Sequence, residues 1–319
     1  MALRRARILA DATLVFTLAV ILWGAFVRAT GSGAGCGSHW PMCNGEVLPR
    51  APSIATMIEL THRVTSGLSL LSVVALLFAV RRAFAVGHLA RKAAGWSVAL
   101  MLVEAALGAG LVLFEKVAGD KSHSRALWMG AHLVNTTLLV GAIGLVCWAV
   151  RRETAPTLRR TGRAAYLLFS GLGAMLAVGV TGAIAALGDT LFPARNLAEG
   201  LAQDLDPSAH LFVQLRVIHP FLATAGALHL LIVAATFGRS TDASTRRFAA
   251  QVGLGAAAQV SIGVINLLLA APVALQLLHL LAADLLWLSL VGLTASALSS
   301  PLTSHDEKTA SAQPTAPAT

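Results

Sequence analysis

Ile58-Glu-Leu-Thr-His-Arg-Val-Thr-Ser-Gly-Leu-Ser69 opens a long apolar run with a glutamate and a histidine three residues apart. A helix turns about 100° per residue, so Glu59 and His62 stand about 60° apart on one face and about one turn apart in depth. They can serve one site. Ionisable side chains in an apolar span are costly and mark function. Three more histidines, His132, His219 and His279, stand in comparable apolar runs.

The whole chain has the character of that stretch. It has 319 residues, of which 56% are hydrophobic and 12% charged, with a mean hydropathy of +0.73. A soluble domain carries about 25% charged residues, so this composition requires a membrane. Eight apolar stretches approach the length of about 20 residues that spans a bilayer, near 10–28, 56–80, 93–114, 126–150, 164–187, 211–237, 248–270 and 273–299. The fold expected is all-α and integral to the membrane.

The net charge of +9 is distributed by loop, which records orientation and excludes nucleic acid as a partner. Of 24 Lys and Arg, 16 fall on one side: Arg4, Arg5, Arg7, Arg81, Arg82, Arg91, Lys92, Arg151, Arg152, Arg159, Arg160, Arg163, Arg239, Arg246, Arg247 and Lys308. Both termini are therefore expected in the cytoplasm. No long basic, acid-poor segment precedes the first apolar stretch, which points to a bacterial inner membrane.

Residues 1–150 and 164–299 resemble each other. Thr30-Gly to Pro41 matches Thr181-Gly to Pro193, Glu104 to Gly108 matches Gln259 to Gly263, His62 matches His219, and His132 matches His279. Each half has four apolar stretches and starts on the same side, so the repeat is parallel, about an axis along the membrane normal. Two pseudo-twofold-related four-helix bundles are expected, joined by a cytoplasmic linker at 151–163. The tail 300–319, rich in Ser, Thr, Ala and Pro, reads as disordered and cytoplasmic.

All four histidines lie six to eight residues inside the outer ends of their helices, about 9–12 Å at 1.5 Å per residue. A lone histidine there would be read as a hydrogen-bonded core residue. Four at one level, paired by a repeat, suit a haem ligated from two helices in each half, and they are too dispersed for a compact zinc site. His229 has no equivalent and is read as structural. One turn before His62 stands Glu59, which suits acid or base chemistry. One turn before His219 stands Arg216, which suits a haem propionate. Glu104 and Asp284 are open between a role in the site and hydrogen bonding between helices. Cys36 and Cys43 share a glycine-rich outer loop, where a disulfide is the first reading and a redox role the alternative. Cys147 reads as a buried thiol.

At these residues the chain resembles the haem A synthase family. The shared motifs are Gly24-Ala-Phe-Val-Arg-Ala-Thr-Gly-Ser-Gly33, the Cys36 and Cys43 loop with Trp40-Pro41, Glu59-x-x-His62-Arg63, His132, Arg216-x-x-His219-Pro220, and His279 with Ala283-Asp-Leu-Leu-Trp287. The resemblance implies oxidation of the C8 methyl of haem O to the formyl group of haem A, for cytochrome oxidase assembly. It implies haem O on His62 and His132, and a retained haem b, with its iron, on His219 and His279. Glu59 becomes the catalytic acid or base, Cys36 and Cys43 a functionally linked pair, and Arg28, Arg63 and Arg216 candidates for the propionates. Haem O synthase and a membrane electron acceptor are the partners implied; self-association into a homo-oligomer stays open. Some members carry a second cysteine pair between helices five and six, where this chain is acidic. A dihaem electron-transfer cytochrome would use the same four ligands without needing Glu59, and a transporter could use intramembrane acids and histidines as a path.

Overall fold

The computed structural model describes residues 1–152 and 162–299. Most of the linker, including Arg159 and Arg160, and the tail with Lys308 lie outside the described residues. Among those described there are helices and no strand: α1 Ala2–Ala29, α2 Ile54–Ala83, α3 Leu89–Leu113, α4 His123–Ala149, α5 Arg163–Leu191, α6 Leu197–Asp204, α7 Leu211–Arg216, α8 Ile218–Phe237, α9 Ala243–Leu268 and α10 Val273–Ser299, with a short 3₁₀ turn at Ser32–Ala34. Eight of these, counting α7 and α8 as one span, are long and apolar enough to cross a membrane. The chain is a multi-pass membrane protein of the all-α class that hydropathy predicts.

Local chemistry sets several ends. Ser53 caps α2 by accepting the Thr56 N–H at 3.1 Å, and Asp242 caps α9 by accepting the Thr245 N–H at 2.7 Å. His88 and His210 cap α3 and α7 through Nδ1, at 3.1 and 3.2 Å from the N–H groups of Ala90 and Phe212. The sixth span breaks between Arg216 and Ile218. Pro220 has no N–H to give the Arg216 carbonyl four residues back, so the helix yields there.

Helices α1, α2, α3 and α4 pack in a closed circuit, each against the next and α4 against α1; α5, α8, α9 and α10 do the same. The apolar core divides accordingly into one cluster around Leu76, Leu139 and Ile143 and another around Leu168, Leu290 and Leu293. Between the circuits α4 meets α5 and α10, and α1 meets α10. Polar contacts tie the seam at both ends. The Trp148 indole donates to Ser296 Oγ at 2.9 Å, while Arg28 on α1 donates to Ala186 O and Thr190 Oγ1 on α5 and to Gln276 Oε1 on α10, at 2.6–2.8 Å.

Packing is uneven with depth. Buried positions in α1 skip from Val20 to Val27, in α2 from Glu59 to Ser69 and in α3 from Met101 to Ala109. In the second circuit they skip from Gly171 to Leu187 in α5, end at Ala256 in α9, begin at Leu230 in α8 and begin at Asp284 in α10. Each circuit thus has a dense base at the arginine-rich end and a looser layer above it. Cys147 lies buried in the base, and His229 bonds Ser170 Oγ at 3.0 Å, tying α8 to α5 as a structural residue would.

The structure corrects one register of the repeat. His62 packs against Gly24, and His219 against Gly182, so Gly182 corresponds to Gly24 and not to Gly31 of the matching Thr-Gly dipeptide. Gly31 instead ends α1 in the left-handed region, φ 67°, where glycine has no Cβ to clash.

Gly141 on α4 tests the seam: a Cβ there would come 2.8 Å from Nε1 of Trp287 on α10, a residue only 4% exposed. Gly141→Val should destabilise the protein by about 1–3 kcal/mol through overpacking, seen as a lower unfolding temperature in detergent. Gly67→Ala, with nothing within 4 Å of the added methyl, should leave that temperature unchanged or raise it.

Candidate functional site

His62 and His132 are the ninth and tenth residues of α2 and α4, and His219 and His279 the ninth and seventh of the sixth and eighth spans. At 1.5 Å per residue all four stand about 9–14 Å below the ends of their helices. That depth is the loose layer. All four are half-buried. His62 and His132 lie in the loose layer of the first circuit, and His219 and His279 in that of the second.

Three of the rings approach a helix backbone that lacks a side chain. A Cβ on Gly24 would lie 2.8 Å from Cε1 of His62, on Gly182 3.0 Å from Cε1 of His219, and on Gly263 3.2 Å from Cε1 of His279. His132 rests instead beside a carboxylate: its Nδ1 is 3.1 Å from Glu104 Oε1, without the alignment of a full hydrogen bond. His219 Nδ1 pairs with Thr181 Oγ1 at 3.1 Å. Gln259 Nε2 lies 3.3 Å from His279 Nε2 and donates to the His279 carbonyl at 3.1 Å. His62 Nδ1 and His279 Nδ1 are buried without a hydrogen-bond partner.

Glu59 faces the outer loop. It is 3% exposed, and its Oε1 accepts from Arg63 Nε at 3.1 Å and Nη2 at 2.5 Å, while Oε2 accepts the Cys36 N–H at 2.8 Å. Arg63 Nη1 donates in turn to the carbonyls of His39 and Met42, at 2.6 and 2.7 Å. Cys36 and Cys43 form a disulfide and are fully buried. The Thr56 hydroxyl donates to Gly35 O at 2.8 Å, and Gly35 lies so close to the Ala55 backbone that no Cβ fits. The loop is a lid clamped to the first turns of α2.

Arg216 holds the equivalent cover on the second circuit. It donates to Asp204 at 2.5 Å, Gln203 Oε1 at 3.1 Å and Gly200 O at 3.2 Å on α6, and to Asp189 on α5 at 3.3 Å. Arg28, Arg63 and Arg216, the three propionate candidates, are thus all engaged with protein groups. Asp284 is buried with Oδ2 unpartnered. Sequence reading missed Thr181 and Gln259 as imidazole partners and the glycines as ring seats; the recurrence of Gly24 and Gly182 at nearly the His62-to-His219 spacing was the available signal.

These features fit a flat iron macrocycle in each circuit. Paired imidazoles, unpartnered nitrogens, rings seated on bare backbone and a layer without close packing provide ligands and space. Among the described residues no cluster of three or more His, Cys, Asp or Glu could hold a bare metal ion.

A family model described as cytochrome oxidase assembly protein matches residues 7–291. A Thermus thermophilus protein named Protoheme IX farnesyltransferase is 46% identical over 286 residues, 89% of this chain and 47% of that relative. A Heme A synthase of Alkalihalophilus pseudofirmus is 39% identical over 113 residues, 35% of this chain and 37% of the relative. One of Bacillus mycoides is 56% identical over 59 residues, 18% of this chain and 19% of the relative. The chain spans about half the length, or less, of these curated relatives.

The clamp on the loop can be measured directly. Removing one member of a buried ion pair strands the other, at about 3–5 kcal/mol, and part of that should appear as local opening of the loop. In Arg63→Ala the disulfide should be reduced, and its thiols labelled by a maleimide, at least roughly ten times faster than in the parent. An unchanged rate would show that the loop is held without the ion pair.

Proposed function

This chain belongs to the cytochrome oxidase assembly protein family, and on that footing we propose that it is a haem A synthase, oxidising the C8 methyl of haem O to the formyl group of haem A. The observation that carries the reading is that His62 and His132 share the loosely packed layer of the first circuit and His219 and His279 that of the second. His62 and His132 receive haem O. His219 and His279 retain haem b. When bound, haem b supplies one-electron chemistry.

The rest falls to the protein. Gly24 and Gly182 let the His62 and His219 rings sit back against α1 and α5, and Thr181 orients His219 through Nδ1, leaving Nε2 for iron. Glu59 lies one turn from His62 toward the lid, with its carboxylate held by Arg63 and the Cys36 N–H. There it serves as the acid or base for the methyl carbon and links the redox state of the disulfide to the substrate-bearing helix. Arg216 stands at the same position in the second circuit, where it secures the cover over a haem that stays. Arg28, Arg63 and Arg216 would reach propionates by exchanging some of their present acceptors.

The protein lies in a bacterial inner membrane with both termini cytoplasmic and the disulfide lid outside. Its substrate must come from a prenyl transfer to protohaem. The name of the Thermus relative, of which this chain matches 47%, supports haem O synthase as the neighbouring enzyme, with a membrane electron acceptor as the other partner.

Acid extraction of pigments tests this. Cells carrying Glu59→Gln should retain haem b in the purified protein and accumulate haem O or a partly oxidised haem, with haem A lost. His219→Ala or His279→Ala should abolish bound haem b, whereas His62→Ala should keep most of it. Normal haem A from the Glu59→Gln strain would favour a plain electron-transfer cytochrome.

A further inference from the structure

Glu104, a membrane-embedded carboxylate on α3, lies beside the His132 imidazole. Its Oε1 stands 3.1 Å from His132 Nδ1 and also accepts from the Thr136 hydroxyl; its Oε2 accepts from Asn135 Nδ2 at 2.6 Å, and that amide also donates to Leu100 O at 2.9 Å. His132, Asn135 and Thr136 are neighbours on one face of α4, at i, i+3 and i+4. The carboxylate of α3 is therefore held in place by two donors and presented to the third residue of that face.

The second circuit repeats the placement with different chemistry. Gln259 occupies the position of Glu104 in the repeat, and it too reaches across to the histidine of the next helix. There the contact is from an amide nitrogen, 3.3 Å from His279 Nε2, and the Gln259 Oε1 is buried without a partner. An ionised carboxylate accepts only, so beside Nδ1 it fixes the tautomer with the proton on Nδ1 and the lone pair on Nε2. Gln259 meets the other nitrogen of its histidine, and His279 Nδ1 is buried without a partner, so no acceptor fixes that tautomer.

We propose that Glu104 is a positioning residue for the substrate-side iron: it holds His132 with Nε2 bare and makes that imidazole a stronger donor than His279. The inference rests on the reading of His132 as a haem ligand and adds to it an electronic difference between the circuits. The stronger donor favours the ferric over the ferrous state, so the first circuit holds its haem at a lower potential than an amide partner would set.

Substitution of Glu104 and of its donor Thr136 tests it in the protein in detergent. Haemin is titrated into protein stripped of pigment, and each site is followed by its absorption during a redox titration, with His132→Ala and His279→Ala used to assign the signals. Glu104→Gln should weaken haemin binding at the His62–His132 site by roughly 10- to 100-fold, raise its midpoint potential and leave the other site unmoved. Glu104→Asp, which keeps the charge, should recover much of the potential. Thr136→Val, which removes one of the two donors that hold the carboxylate, should raise the same potential by a smaller amount, and this arm stands even if Glu104→Gln does not fold. Haemin bound at both sites with no change of potential in either variant would overturn the proposal. Parent protein that binds no haemin would instead overturn the haem reading beneath it.

Discussion

An imidazole can sit back against a neighbouring helix only where that helix carries no Cβ, and three of the four paired histidines meet this condition at Gly24, Gly182 and Gly263. The consequence is architectural. A glycine and a ring at the same depth hold two helices in register without filling the space between circuit partners, so a loose layer survives above a dense base. Below it, Leu76, Leu139 and Ile143 in one circuit and Leu168, Leu290 and Leu293 in the other pack without solvent exposure beyond about 2%. The base fixes the helices; the layer leaves room for a ligand.

Glu59, Arg63 and Arg216 follow a second rule, that a charge entering an apolar span meets its partner before it leaves water. Glu59 and Arg63 are four residues apart on α2 and satisfy each other, and their remaining capacity is spent on the lid, through the Cys36 N–H and the carbonyls of His39 and Met42. Arg216 does the same for α6 with Asp204 and Asp189. The residue one turn before the histidine is thus the anchor of the cover in both circuits, although its charge is opposite in the two. That common task explains how a repeat can tolerate a charge reversal at equivalent positions.

The circuits remain distinct in what surrounds their imidazoles. Thr181 and Gln259 are the partners in the second, whereas Glu104 brings a carboxyl group to the first. Arg28 joins α1 to α5 and α10 across the seam, so the two sites are mechanically linked at the lid end as well as at the base, where Trp148 meets Ser296.

Composition and hydropathy alone determined the class of this protein, the number of spans and the level of its histidines, because a bilayer demands about 20 apolar residues per helix and tolerates ionisable groups only for cause. The His62-to-His219 correspondence was legible for the same reason. The register of α1 against α5 was not: the Thr-Gly dipeptides match as letters, but Gly31 ends a helix while Gly182 seats a ring, and only the contact distinguishes them. Nor could the chain alone say that Glu59 would turn toward Arg63 and the Cys36 N–H, or that Glu104 would meet His132. Helical periodicity fixes which residues of one helix share a face. Which residue of another helix they touch depends on rotation and depth between helices, and those are settled by packing of the whole circuit.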